Sequence, residues 1–151
     1  MGKKRIIKED QEKLVKEKEK VEAEVQKEKK IEVPTARIRD GKIYISSSYN
    51  NTIISLADLQ GRVLAWVSAG SIGFKGAKKA TPFAASKVAE AIFQTISKLG
   101  IEKLSIVVKG VGGGRESAVR SFAAKGLDIV SVTDKTPVPH NGCRARKARR
   151  V

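Results

Sequence analysis

Residues 81–100, TPFAASKVAEAIFQTISKLG, limit the folds open to this chain more than any other stretch. Thr81 is a side-chain N-cap, Pro82 fits the first helical position, Lys98 suits the last turn, and Gly100 suits the left-handed conformation that ends a helix. Val88, Ile92, Ile96 and Leu99 fall on one stripe at helical spacing. A helix with one apolar stripe has to lay it on another element, so its neighbours in sequence decide the fold.

Those neighbours are strands. GKIYISSS (41–48) alternates, NTIISLAD (51–58) is β-branched, and RVLAWVSA (62–69) is a third extended run. The connections are short: Asn50 and Asn51 tolerate turn conformations in the first, and Gly61 supplies the turn residue in the second. An antiparallel meander is expected. After the helix, KLSIVVKG (103–110) reads as a buried strand, RESAVRSFAAKG (115–126) as a short helix, and LDIVSVTD (127–134) as a last strand. Strand–helix–strand connections of this length favour parallel pairing. The order βββαβαβ predicts a single layered α/β domain with a mixed, roughly five-stranded sheet covered by helices, followed by a basic C-terminal tail.

Charge divides the chain into three parts. The whole carries 31 Lys and Arg against 16 Asp and Glu, a net +15 that favours a polyanionic partner. Residues 1–33 hold 11 basic and 9 acidic residues, no Pro and no Gly after Gly2, with Leu14, Val21 and Val25 on one thin stripe. This reads as a charged extension, helical or disordered, that orders only against a partner. Residues 34–139 carry the core periodicity, and residues 140–151 carry five basic residues and no acid. The apolar runs are too short for a spanning helix, the N-terminus lacks a signal-peptide stretch, and Ile6 breaks the myristoylation pattern. No membrane partner is expected. A lone Cys143 fits a reducing cytosol.

The loops carry the functional signal. AGSIGFKGAKKATP (69–82) sets Lys75, Lys78 and Lys79 around Phe74, just before a helix N-terminus and without an acid, which suits phosphate contact. VKGVGGGRES (108–117) resembles a nucleotide cradle but fails both the G-x-x-x-x-G-K-[ST] and the G-x-G-x-x-G spacings. Its amides remain candidates for a polynucleotide phosphate. His140 and Cys143 have no second His or Cys to complete a metal site. Asp40, Asp58, Glu90, Glu102, Glu116, Asp128 and Asp134 are scattered, which disfavours a metal-dependent nuclease. The reading is a non-enzyme, with no cofactor, no metal and no small-molecule substrate. Trp66 is expected in the core, and 5% aromatic content disfavours a reader of single strands that works mainly by stacking.

The tail completes the pattern. Pro137 and Pro139 enforce an extended arm, Asn141-Gly142 permits a turn, and Arg144, Arg146, Lys147, Arg149 and Arg150 have no counter-ions in sequence. Arginine forks bind phosphate bidentately and stack on bases. Contact with roughly five to ten phosphates would give a log–log salt slope on the order of −4 to −9. Gly142 leaves Asn141 unshielded, so Asn141 is also a candidate for succinimide formation and conversion to isoaspartate.

Three stretches together, YNNTIISLADLQGRVLAWVSAGSIGFKGAKKATPFAA, VKGVGGGRESAVR and TDKTPVPHNGCRARKARRV, resemble the bacterial small-subunit ribosomal protein of the universal uS-eleven family, from about Gly41 to Val151. The resemblance implies a layered α/β domain on the platform of the small subunit that bridges ribosomal RNA helices and supports assembly and translation. It implies a place beside the messenger exit region and the 3′ end of the ribosomal RNA, with small-subunit proteins seven and eighteen as neighbours. The RNA-binding residues it implies are Asn50, Asn51, Lys75, Lys78, Lys79, Lys109, Arg115, His140, Asn141, Arg144, Arg146, Lys147, Arg149 and Arg150. Val111 and Gly113 stand where the family commonly has prolines, as do Ala145 and Arg146 in the tail, and residues 1–33 exceed the usual bacterial leader. A free RNA chaperone is the remaining alternative, separable by whether the protein sediments with ribosomal subunits.

Overall fold

The computed structural model describes residues 39–144 and residue 146; the charged extension 1–33 and the tail cations Lys147, Arg149 and Arg150 lie outside the described residues. Five strands and two α-helices follow in the expected order. These are β1 (Asp40–Ser47), β2 (Thr52–Ala57), β3 (Val63–Ser68), α1 (Pro82–Leu99), β4 (Lys103–Lys109), α2 (Gly114–Ala124) and β5 (Asp128–Asp134). A short 3-10 helix, Gly76–Ala80, precedes α1 and was not foreseen.

The sheet order is β3-β2-β1-β4-β5. Strands β1 and β2, and β2 and β3, pair antiparallel, as two short turns require, while β1 with β4 and β4 with β5 pair parallel. The chain therefore crosses over twice, through α1 from β3 to β4 and through α2 from β4 to β5. Both crossovers travel the same way across the sheet, and right-handed connections then place both helices on the same face.

Alternation sends Ile43 and Ile45 of β1, Ile54 and Leu56 of β2, Ala65 and Val67 of β3, and Leu104, Ile106 and Val108 of β4 under the helices. Val88, Ile92, Ile96 and Leu99 of α1 meet them from above, joined by Ala118 and Phe122 of α2. The ends of α1 match the sequence signals: Thr81 Oγ1 accepts from the Ala84 amide at 3.3 Å, and Gly100 adopts φ 68°.

Among the described residues the covering is one-sided, and that corrects the expectation for Trp66. The tryptophan is 61% exposed, because β3 turns the small residue Ala65 and Val67 toward the helices and Trp66 toward the opposite, uncovered face. Strand β4 shows the same division: Lys103, Ser105, Val107 and Lys109 alternate with its three buried residues. Strand β5 closes one edge and keeps Val130 and Val132 exposed.

Candidate nucleic-acid interface

Parallel pairing brings the C-terminal ends of β1, β3, β4 and β5, and the start of β2, to one end of the sheet. Both helices begin there, so the positive ends of two helix dipoles converge on it. The loops that carried the sequence signal meet at this end: the β1–β2 turn, the basic loop before α1, the glycine loop before α2, and the departure of the tail. Contacts confirm the convergence, since Gly112 N–H donates to Ser47 O at 3.0 Å and Ala69 N–H donates to Thr52 O at 3.0 Å.

The β1–β2 turn is held by Ser48. Its hydroxyl accepts from the Asn51 amide at 3.1 Å and lies 3.4 Å from the Asn50 amide nitrogen. Asn50 is exposed, whereas Asn51 is half-buried and its Oδ1 is buried without a hydrogen-bond partner among the described residues.

In the basic loop, Ser68 and Ser71 close the turn by reciprocal bonds, each hydroxyl accepting from the other's amide at 3.1 Å. The 3-10 helix then carries Lys78 and Lys79, with Lys75 just before it, and Thr81 Oγ1 donates to Lys78 O at 2.7 Å while capping α1. Lys75 and Lys78 are exposed and Lys79 is half-buried. Phe74 is a packing residue, set edge-on against Phe83 with ring centroids 6.0 Å apart.

The glycine loop is built for close approach. A Cβ on Gly110, at φ +101°, would stand 2.1 Å from Ser47 O; one on Gly112 would stand 2.3 Å from Ser48 O; and one on Gly114 would stand 2.4 Å from Thr52 Oγ1. Its amides are partly committed: Gly112 donates to Ser47, and Gly110 N–H donates to Thr136 Oγ1 at 3.1 Å. The cradle-like sequence thus packs the loop onto the neighbouring turn, with Gly113, whose added Cβ would meet nothing nearer than Ala80 O at 3.8 Å, as the open position.

Arg115 is spoken for in the same network. Its guanidinium pairs with Asp134, donates to Gly110 O at 3.1 Å and lies 3.4 Å from Thr136 Oγ1. Asp134 Oδ1 accepts from the Thr136 amide at 2.8 Å and from its hydroxyl at 2.7 Å. These Thr136 bonds, and then Arg115, hold the Asp134 carboxyl down at about 2, against an ordinary 3.8. Arg115 therefore acts as a clasp that fixes where the tail leaves the domain. Thr136 and Asp134 escaped the sequence reading because their role depends on β5 lying beside β4, which places residues 19 and 21 positions away against Arg115.

Beyond the clasp, His140, Asn141, Arg144 and Arg146 are exposed, and Asn141 takes φ 50°. Lys109 is exposed at the end of β4. The loops 48–51, 69–81 and 110–113 contain no carboxylate. Asp134 is neutralised by Arg115, and Glu116, in the first turn of α2, pairs with Arg120. Among the described residues no three His, Cys, Asp or Glu side chains gather as metal ligands, and no helix is long and apolar enough to cross a membrane.

A two-layer α/β domain that gathers cations at one loop end belongs to the class of scaffolds suited to a polyanion. Comparison with known proteins makes this specific. The family model for ribosomal protein S11 matches residues 41–150. The chain is 52% identical over 114 residues to small ribosomal subunit protein uS11 of Treponema pallidum, covering 76% of this chain and 90% of the relative. It is 48% identical to the protein of the same name from Borreliella burgdorferi (76% and 88% covered) and 52% identical to that of Methylibium petroleiphilum (76% and 86%). The chain belongs to the ribosomal protein S11 family, bacterial, structural and non-enzymatic components of the small ribosomal subunit.

Proposed function

We propose that this chain binds and bridges ribosomal RNA helices on the platform of the small subunit, near the messenger exit region and the 3′ end of the ribosomal RNA, with small-subunit proteins seven and eighteen as neighbours. The observation that carries this reading is the convergence at one end of two helix N-termini, Lys75, Lys78, Lys79, Lys109 and the exit of an arginine-rich tail. Helix N-termini and lysines favour phosphate without reading sequence, while the tail's arginines add bidentate contacts. Asn50 presents its exposed side-chain amide beside them, with the half-buried Asn51 next to it in the turn. Arg115 serves this interface by positioning the tail, and His140, Asn141, Arg144, Arg146, Lys147, Arg149 and Arg150 extend it.

The test is assembly. Charge reversal at Lys75, Lys78 and Lys79 should shift the protein in sucrose gradients from the small-subunit peak to the slow-sedimenting pool as salt is raised, whereas the unaltered chain should stay with the subunit at moderate salt. A chain that sediments free even at low salt would instead support the chaperone reading. Chemical footprinting of reconstituted subunits should then place the protected nucleotides beside the 3′ end of the RNA. Protection confined to another region would rule the location out.

The exposed Asn141-Gly142 pair also supports modification: the Gly142 amide nitrogen attacks Asn141 Cγ, ammonia leaves, and water opens the succinimide to aspartate or isoaspartate. Peptide mapping of purified subunits reads this as a gain of about 1 Da at residue 141, the replacement of NH2 by OH. Finding only asparagine there would dispose of it.

A further inference from the structure

The uncovered face of the sheet shares only Lys109 with the interface described above, and its composition is unusual for a solvent-facing sheet. One row runs straight across all five strands: Trp66, Ser55, Tyr44, Val107 and Thr133 stand opposite one another in register. The next row toward the cationic end is Ser68, Ile53, Ser46 and Lys109. On the other side, Lys42 stands beside Ser105. Trp66 is 61% exposed, and Tyr44 and Ile53 are each 38% exposed. Trp66 and Tyr44 are two strand spacings apart, about 10 Å, with only a serine between them.

We infer that this face is a second RNA-binding surface, on which unpaired nucleobases stack on Trp66 and Tyr44 while Lys109 and Lys42 meet the adjoining phosphates. The inference rests on the reading that the cationic end binds RNA, and it extends that site around the edge of the sheet. Three observations favour a nucleic acid as the occupant. The three rows hold Lys42 and Lys109 and no carboxylate, and Asp40 in the row beyond Lys42 stands opposite Lys103, so the face toward the cationic end complements an anion. Serines at 46, 55, 68 and 105 separate the apolar side chains, which suits planar bases with polar edges better than the continuous apolar core of a protein interface. The row ending in Lys109 opens directly onto the β1–β2 turn and the glycine loop, so a strand leaving the cationic end reaches the aromatic row without a gap. Stacking tolerates any base, since every base has a π-face.

Trp66 is the only tryptophan in the chain, which makes its fluorescence a reporter of this face alone. The probe is a dodecamer of adenylate RNA, titrated into the full chain beside an RNA duplex of equal length. The single strand should quench Trp66 emission, and the duplex, whose bases are already stacked, should bind without quenching. By anisotropy of a labelled dodecamer, Trp66→Ala should weaken single-strand binding about tenfold, with Trp66→Phe within about threefold of the unaltered protein. Duplex binding should be unchanged in both.

Charge reversal at Lys75, Lys78 and Lys79 should weaken both RNAs together, which separates the two surfaces. Single-strand binding that leaves Trp66 emission unmoved would overturn the stacking surface while sparing the cationic end, and would assign the face to a neighbouring protein. Trp66 already shielded from acrylamide in the free chain would overturn it in favour of residues 1–38 covering the sheet. Failure of both RNAs to bind would remove both readings.

Discussion

At the residue scale, the glycine loop and its clasp separate what a side chain looks like in sequence from what it does. Gly112 and Gly113 are neighbours, yet only Gly112 lies against backbone, so alanine at the two positions should act differently. Gly112→Ala should lower stability by about 2 kcal/mol through overpacking, and Gly113→Ala should stay within about 0.5 kcal/mol. Urea denaturation of the two variants distinguishes them, and equal losses would contradict the packing role. Arg115 looks like a phosphate ligand in sequence because Asp134, its partner, sits on a strand whose pairing only the fold reveals. The linkage is open to test through pH. Asp134 titrates lower in the folded chain than its ordinary 3.8, at about 2, so its carboxylate adds stability that is fully present above 3.8 and is lost as the pH falls through about 2. Between pH 4 and pH 2 the urea midpoint of the unaltered chain should therefore fall more than that of Asp134→Asn. Parallel curves would show that the clasp does not couple to folding.

At the scale of elements, α1 was legible from end to end because its signals are local: a capping threonine, a proline at the first position, a four-residue apolar stripe and a terminal glycine. The strands were legible by alternation, but alternation only says that a strand has two faces. Which face is covered depends on the handedness of two crossovers, and that is why Trp66 was expected in the core and is found outside it. The energetics of α1 follow the same division between local and tertiary terms. Thr81→Ala removes one capping bond and should cost about 1 kcal/mol. Ile92→Ala, at a fully buried position facing the sheet, should cost about 3 kcal/mol through the cavity it leaves. Thermal unfolding should rank the two in that order. The reverse ranking would mean that α1 is held by its own ends and not by the sheet.

For the molecule as a whole, the proposed division between domain and tail makes separate predictions for folding and for binding. Among the described residues, the buried ones all lie between Gly41 and Phe122, and the clasp ends at Thr136. The described residues beyond His140 are exposed. Deleting residues 141–151 should accordingly leave the far-UV circular dichroism and the unfolding midpoint of the domain unchanged. It removes five cations, however, and each phosphate contact contributes about 0.7–0.9 to the slope of log affinity against log salt. If the intact chain shows a slope on the order of −4 to −9 on its RNA site, the truncated chain should lose up to about 4 from it. Affinity should fall most at low salt, where counterion release is strongest, and the two chains should converge as salt rises. Filter binding of both chains across a salt series measures this directly. An unchanged slope would place the phosphate contacts on the loops alone, and a lost domain signal would mean that the tail is part of the fold.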